Sequence, residues 1–162
     1  MRASIPDKMA NMAPPTRVRA WRALMHVHSA VTNAIDRTLR DQLGLPGSWY
    51  EALVEIALAG GTMRMNQFAR ETTLTQSGAT RFVDRLETAG LVERQPDPAD
   101  RRVYQLTLTA EGKTMQHAAD PHVLAVIDGM FGIHLSDQEA EVLLDVLDRV
   151  RAGADTSLFS ET

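Results

Sequence analysis

Residues 63–108 read MRMNQFARETTLTQSGATRFVDRLETAGLVERQPDPADRRVYQLTL. This stretch opens with a short apolar strand and continues with two helical segments that a polar turn separates. It ends in two strands joined by a tip rich in Pro, Asp and Arg. Strand, helix, turn, helix and hairpin in this order predict a winged helix-turn-helix. Such a fold typically places its second helix in the major groove of duplex DNA.

The second helix of this stretch carries the first group of predicted DNA contacts. Thr75 is predicted to cap the helix, which leaves free backbone N–H groups at its start. At 100° per residue the apolar side chains share one face, namely Ala79, Phe82, Val83, Leu86 and Ala89. The opposite face and its flanks are polar and cationic. We predict that Gln76, Ser77 and Thr80 reach the base edges of DNA. Arg81 is predicted to bind guanine or phosphate, and Arg85 to contact the DNA backbone.

The hairpin tip carries the second group. Asp100, Arg101 and Arg102 lie in a turn that core packing does not explain. Adjacent side chains on a strand point to opposite faces, so one arginine can enter a minor groove while the other meets a phosphate or braces the wing. Asp100 would orient one of them. On the flanking strand, Tyr104, Leu106 and Leu108 alternate with polar residues and predict one buried sheet face.

Each of these cations also has a structural interpretation. Arg81 and Arg85 could be solvated helix charges that pair with Asp84 or Glu87. The two arginines of the tip could instead protect an edge strand from aggregation. The cap spacing and the wing together favour the DNA-contact interpretation.

A long helix is predicted over residues 17–43, because apolar side chains recur every three or four residues from Val18 to Leu39. A second apolar row, from Ala20 to Ala34, lies beside the first. A domain of this size offers only one core, so a helix with two apolar sides predicts contact with another subunit. After Gly44 a second helix is predicted from Trp49 to Ala59.

Local signals predict several helix caps. Ser48 is expected to cap the second helix, Asn66 the first helix of the helix-turn-helix, and Thr109 the helix after the wing. Pro121 is expected to kink that last helix, with Asp120 capping a new segment beyond the kink. Ser136 and Glu139 form a capping box that opens a final amphipathic helix.

Composition bounds the remaining possibilities. The chain has 162 residues, 44% of them hydrophobic, no cysteine, and a formal charge of −4. Thiolate metal sites and thiol redox sensing are therefore excluded. Residues 62–104 hold seven arginines and six carboxylates, a balance of +1, so the flanks carry −5. Local DNA contact with acidic flanks fits this distribution. The N-terminus lacks the apolar core of a signal peptide, and no apolar run could span a bilayer, which predicts a cytoplasmic protein without membrane contact.

The run LTQSGATRFVDRLETAGLVERQPDPADRRVYQLTLTAEG, residues 74–112, resembles the MarR family of bacterial transcription regulators. The TR-x-VDRLE-x-x-GL-V-x-R segment, the DP-x-DRR wing and the LT-x-x-G continuation match in order and spacing. The resemblance implies an obligate homodimer formed by interlocking first and last helices and bound to a pseudo-palindromic operator. It also implies release of DNA by small, often phenolic or anionic, ligands bound between the dimer region and the winged lobe.

The sequence departs from the family pattern at two places. Gly78 stands where the family usually has Ser or Thr, and a close approach of the backbone at this position would explain it. Thr72 and Thr73 stand where an apolar and a small residue are usual.

The expected fold class is mainly α, within α+β, with a winged helix-turn-helix core between long N- and C-terminal dimerisation helices. The predicted organisation is a flexible arm over residues 1–16, a single domain over 17–152 and a frayed tail over 153–162. Within the domain the winged core covers about 49–108, and the dimerisation helices cover about 17–43 and 109–152.

Candidate effector residues follow from the same resemblance. Trp49 and Tyr50 begin the second helix near the family's pocket, and His28 could line its wall; each could equally be a core or interface residue. His26 and His28 are two apart and cannot chelate one ion as an i, i+4 pair would. No catalytic motif and no cofactor motif is visible. Two alternatives stay open: a metal-responsive regulator, and a winged-helix interaction module that does not bind DNA.

Overall fold

The structure, a computed structural model, describes residues 14–72, 74–97 and 103–158, with side chains up to residue 153. In chain order the elements are α1 (Thr16–Leu43), α2 (Gly47–Leu58), β1 (Thr62–Arg64), α3 (Met65–Glu71), α4 (Gln76–Thr88), β2 (Val92–Pro96), β3 (Tyr104–Leu108), α5 (Ala110–Met130), a 3₁₀ turn (Gly132–His134) and α6 (Asp137–Leu158). This order confirms the predicted winged helix-turn-helix between long terminal helices.

The winged lobe is built on a three-stranded antiparallel sheet in the order β1-β3-β2. Met63 pairs with Leu106, and Val92 pairs with Leu108; all four side chains are buried. Phe68 from α3 and the inner face of α4 complete this core. These apolar side chains thus fix the orientation in which α4 packs against the sheet.

Two predicted caps next to the winged core are confirmed. The Thr75 hydroxyl accepts a hydrogen bond from the Gly78 N–H at 3.2 Å, and the Thr109 hydroxyl accepts one from the Gly112 N–H at 2.9 Å. The capping box before α6 is also present, since the Ser136 N–H donates to Glu139 at 2.9 Å and the Glu139 N–H donates to the Ser136 hydroxyl at 3.4 Å. These caps set where α4, α5 and α6 begin.

The predicted cap of α2 is wrong. The helix begins at Gly47, before Ser48, and its first N–H donates to the carboxylate of Asp36 on α1 at 2.8 Å. Arg40, one turn further along α1, pairs with the same carboxylate at 2.7 Å. A side chain on Gly47 would crowd Asp36, because a Cβ there would lie 3.1 Å from the Asp36 Cα. Asp36 therefore ties the long first helix to the winged lobe.

We predict that Asp36→Ala lowers the free energy of unfolding at neutral pH by about 1 kcal/mol, the usual cost of losing an N-terminal cap. Asp36→Asn should cost less, because its amide oxygen can still accept from Gly47. The Arg40 side chain and the Gly47 N–H hold the pKa of Asp36 below its ordinary value of 3.8. The charge therefore stabilises the fold above that value, and the contribution is lost as the pH falls through the lower folded pKa.

Urea denaturation at acidic and at neutral pH measures how much the Asp36 charge contributes to the free energy of unfolding. The gap between the native chain and Asp36→Asn should close as the pH falls below the ordinary carboxyl value. A gap that does not change with pH would show that the Asp36 charge contributes nothing.

Other sequence predictions also need correction. Asn66 does not cap α3, which begins one residue earlier at Met65 and has no side-chain cap. Ala89 is exposed beyond the last turn of α4, and Tyr104 is 51% exposed because it lies next to the tip of the hairpin.

Pro121 lies inside α5, which continues unbroken to Met130. Asp120 therefore caps no new helix; it accepts hydrogen bonds from Tyr50 and Gln116 instead. Helix α6 extends to Leu158, beyond the boundary predicted at residue 152.

The two terminal helices leave apolar surface uncovered. None of the α6 side chains at residues 137–153 is buried, and Val142, Leu144 and Val150 are each at least 60% exposed. On α1, Trp21 is 61% exposed. Apolar side chains at this density are normally covered by another surface.

Candidate nucleic-acid interface

Helix α4 presents its polar face as the sequence predicts. Gln76, Ser77, Thr80 and Arg81 are all exposed, while Ala79, Val83 and Leu86 are buried beneath them. The Thr80 hydroxyl donates to the Gln76 carbonyl at 3.0 Å, so it faces an incoming group as an acceptor with a methyl beside it. The first turn of α4 is thus a short, polar, convex surface with a cation on its flank.

Gly78 lies in the first turn of α4, directly beside the Thr75 hydroxyl that caps the helix. A Cβ at this position would lie 3.1 Å from the Thr75 hydroxyl oxygen and 3.9 Å from the Leu74 Cβ. The absent side chain leaves room for the hydroxyl that caps the helix. Within the described residues, this position contacts side chains of the preceding turn. A close approach of the α4 backbone at Gly78 stays a prediction.

Arg94 on β2 fastens the wing to α4. Its Nη2 donates to the Thr80 carbonyl at 2.9 Å and pairs with Asp84 at 2.7 Å, and its Nη1 lies 3.7 Å from a Glu87 carboxylate oxygen. The Arg94 backbone N–H donates to Glu87 at 3.2 Å. Sequence reasoning missed this residue, because its three partners are 7 to 14 residues away along the chain.

This brace changes the interpretation of the cations on α4. Asp84 and Glu87, which could have neutralised Arg81 and Arg85, are engaged by Arg94. Arg81 has no hydrogen bond or ion pair with any residue that the structure describes. The guanidinium of Arg85 lies 5.4 Å from the centre of the Phe82 ring. Arg81 and Arg85 are therefore not neutralised by Asp84 or Glu87, as the structural interpretation required. Both charges remain available to a ligand.

We predict that Arg94→Ala lowers the free energy of unfolding by about 1–2 kcal/mol, because the partly buried guanidinium serves several acceptors at once. The lost brace should also weaken DNA binding, since the wing and α4 would no longer be held at one angle. Urea denaturation gives the first quantity. The matched control is Arg149→Ala, which removes an exposed i, i+4 pair with Asp145 and should change stability by about 0.5 kcal/mol or less. Equal losses in the two variants would contradict the brace.

The base of the wing is closed by a buried carboxylate. Asp97 is 2% exposed and accepts hydrogen bonds from Arg64 Nε at 2.8 Å and from the Gln105 amide at 3.0 Å. Its backbone N–H donates to the Val103 carbonyl at 2.8 Å and closes the hairpin. The predicted tip contacts Asp100, Arg101 and Arg102 lie outside the described residues, as does Thr73 of the predicted turn.

The three candidate effector residues do not line one pocket. Trp49 and Tyr50 are half-buried against the core. The Tyr50 hydroxyl donates to Asp120 at 2.9 Å, and burial, together with this carboxylate, raises the pKa of Tyr50 to about 12. His28 is exposed and lines a separate cavity of about 350 Å³ with Asp36 and Glu51.

A second cavity, of about 300 Å³, lies between α2 and the helix-turn-helix. Phe82, Leu74 and Ala52 form its apolar wall, and three glutamates form its rim: Glu51, Glu55 and Glu71. None of these glutamates pairs with another residue in the described part of the chain. The negative rim disfavours an anionic guest at this place.

Within the described ranges, no group of three or more histidine, aspartate or glutamate side chains could hold a metal ion. Among the same residues, no helix is both long and apolar enough to cross a bilayer.

Comparison with known proteins places the fold in a family. A sequence model of the MarR family matches residues 43–103. The HTH-type transcriptional regulator MhqR of Bacillus subtilis is 31% identical over 103 residues, which are 64% of this chain and 70% of that protein. The chain belongs to the MarR family. Its relatives are transcription regulators and not enzymes.

Solved MarR-family structures share the architecture. AbsC from Streptomyces coelicolor is 26% identical and superposes with a TM-score of 0.80, covering 91% of this chain and 99% of that one. Sco3205 from the same organism, solved in complex with DNA, is 24% identical with a TM-score of 0.77, covering 88% and 90%. The second likeness shows the MarR fold alone. In this MarR-family chain, α4 is the second helix of the helix-turn-helix, and β2 and β3 are the paired strands that follow it.

Proposed function

We propose that this regulator binds duplex DNA as a homodimer, with the first turn of α4 in the major groove and the wing in the adjacent minor groove. The observation that carries the proposal is the brace of Arg94. It holds the wing and α4 together while leaving Arg81 and Arg85 without acidic partners in the described part of the chain. Gln76, Ser77 and Thr80 would read base edges, and Arg85 would meet the backbone.

The tip belongs to the same proposal, although it lies outside the described residues. Arg101 or Arg102 would enter the minor groove, where narrow segments favour a guanidinium, and Asp100 would orient the pair. The other arginine would contact a phosphate.

The homodimer is proposed from the apolar surface that α1 and α6 leave exposed. Trp21, Val142 and Val150 are more than half exposed in a single chain. A two-fold dimer would bury these side chains and set two copies of α4 against successive major grooves about 34–36 Å apart. The operator would then be pseudo-palindromic.

The regulatory outcome is proposed as repression relieved by a small molecule. A ligand that favours a different separation of the two winged lobes would shift the dimer away from DNA. The cavity between α2 and the helix-turn-helix is lined by Leu74 and Phe82, so a ligand bound there would contact α4 directly. Among the phenolic and anionic effectors typical of the family, its glutamate rim favours a neutral phenol. His28, Trp49 and Tyr50 stay candidates for a separate effector site.

Fluorescence anisotropy with labelled DNA from immediately upstream of its own gene tests the proposal. The native chain should bind this duplex more tightly than a duplex of scrambled sequence. Thr80→Ala and Arg81→Ala should reduce that preference by roughly 1–3 kcal/mol each. A uniform loss on both duplexes would show that these side chains only position the helix. If no duplex binds below micromolar concentrations in moderate salt, the chain is a winged-helix interaction module instead.

A further inference from the structure

The outer face of the wing carries a cation that the recognition helix does not use. Arg64 pairs with Gln105 across β1 and β3, and Gln95 pairs with Gln105 across β2 and β3. These three residues form one row across the sheet, next to the last registered pair before the tip. The neighbouring row holds the buried Met63 and Leu106, so Arg64 points away from the core and from α4.

Arg64 is held in place and still accessible. Its Nε donates to the buried Asp97 carboxylate at 2.8 Å, while the side chain as a whole is 56% exposed. Its terminal nitrogens, Nη1 and Nη2, have no partner among the residues that the structure describes. A guanidinium fixed through Nε presents these nitrogens as a fork, a geometry that matches phosphate oxygens.

The described strands contain two cationic side chains, Arg64 and Arg94. Arg94 is committed to α4 on the inner face. A minor groove is only about 6 Å wide and has a phosphate backbone on each side. A hairpin whose tip enters it must therefore meet phosphates on both faces. On the face away from α4, Arg64 is the described strand cation that can meet them.

We propose that Arg64 is a phosphate-contacting residue on the outer face of the wing, with Asp97 as the side chain that orients it. This inference rests on the proposed function, because it takes the wing to enter a minor groove. The contact would add affinity on every sequence and would fix the depth of the wing, while carrying no base preference.

The test is the salt dependence of binding to a labelled duplex of mixed sequence, measured with Arg64→Gln and Arg64→Lys. The glutamine amide can still donate to Asp97, so the wing base keeps a hydrogen bond while the cation is lost. If Arg64 contacts phosphate, Arg64→Gln lowers the magnitude of the salt slope by about 0.9 for each bound protomer. Its affinity at low salt falls on the order of tenfold. Arg64→Lys keeps the slope because it keeps the charge.

Arg151→Gln is the matched control for net charge, since Arg151 is an exposed cation on α6 whose described partner is Asp148. It should leave the slope unchanged. If Arg64 only braces the wing, both Arg64 variants lose affinity and neither changes the slope, which would overturn the proposal. If the glutamine variant is unstable, Arg64→Lys still separates the two roles: it keeps its affinity at low salt if Arg64 contacts phosphate and loses affinity if Arg64 only braces the wing.

A native chain that binds no duplex would overturn the proposed function, and this inference with it. Native binding with an unaltered slope in Arg64→Gln would overturn this inference alone.

Discussion

Replacing Gly112 with alanine is expected to lower the free energy of unfolding by at least about 3 kcal/mol. A Cβ at this position would overlap the carbonyl oxygen of Leu91, a backbone atom that cannot move aside alone. The same corner is held by two hydrogen bonds from Thr109, whose hydroxyl donates to the Gly90 carbonyl at 2.7 Å and whose N–H donates to the Leu91 carbonyl at 3.2 Å. The first turn of α5 is therefore packed directly on the turn between α4 and the wing.

Gly129 supplies the matched control for this substitution. It lies in the same helix and has open space where a Cβ would stand. Gly129→Ala should raise the free energy of unfolding by about 0.5–1 kcal/mol, because alanine loses less backbone entropy in a helix. Urea denaturation of both variants gives the two changes in the free energy of unfolding. If Gly112→Ala is tolerated as well as Gly129→Ala, then α5 does not rest on the wing as described.

A glutamate at Val142 is expected to convert the proposed homodimer into monomers. Val142 is 60% exposed on α6 and lies with Leu143 and Val146 along one apolar groove. An unpaired carboxylate buried in a dimer interface costs several kcal/mol, whereas a valine there contributes favourable burial. In a dimer, binding of one winged lobe to DNA holds the second lobe close to its own half-site. The monomer lacks this gain and should bind operator DNA at least about 100-fold more weakly.

Analytical ultracentrifugation and anisotropy measure the two effects on the same samples. Arg151→Gln is the control, since it changes the net charge by the same amount at a position that is 77% exposed in its side chain. A Val142→Glu chain that stays dimeric would exclude this face of α6 from the interface. Monomers that bind DNA as tightly as the native chain would show that dimerisation is not part of DNA binding.

The features that were predicted correctly from the sequence depend on residues that are close to one another along the chain. The limits of α1, the caps at Thr75 and Thr109 and the capping box at Ser136 each depend on side chains within about one helical turn. The order of helices and strands follows from hydrophobic periodicity, which is equally local. For this reason the winged core could be recognised before its packing was known.

Most of the consequential errors and omissions involve contacts between distant segments. Asp36 caps a helix that begins 11 residues later, so Ser48 was the wrong residue to choose. Arg94 reaches back 14 residues to the Thr80 carbonyl, and nothing in the local pattern distinguishes it from other wing residues. Pro121 was expected to divide α5, but the helix continues through it. Such features depend on how elements meet, which periodicity does not report.

Arg64 belongs to the same class of feature. In the sequence it is one of seven arginines between residues 62 and 104. Only the sheet register and the buried Asp97 separate it from the others, because they place it on the outer face of the wing beside the tip.

Hydroxyl-radical footprinting of the native protein on the DNA upstream of its own gene shows whether a dimer binds this DNA through α4 and the wing. We expect two protected regions, related by two-fold symmetry and one helical turn apart, about 34–36 Å, because two copies of α4 would occupy successive major grooves. Protection should vanish with Val142→Glu at the same concentration. A single protected region, or an unprotected duplex at micromolar protein in moderate salt, would contradict a dimer that binds DNA through α4 and the wing.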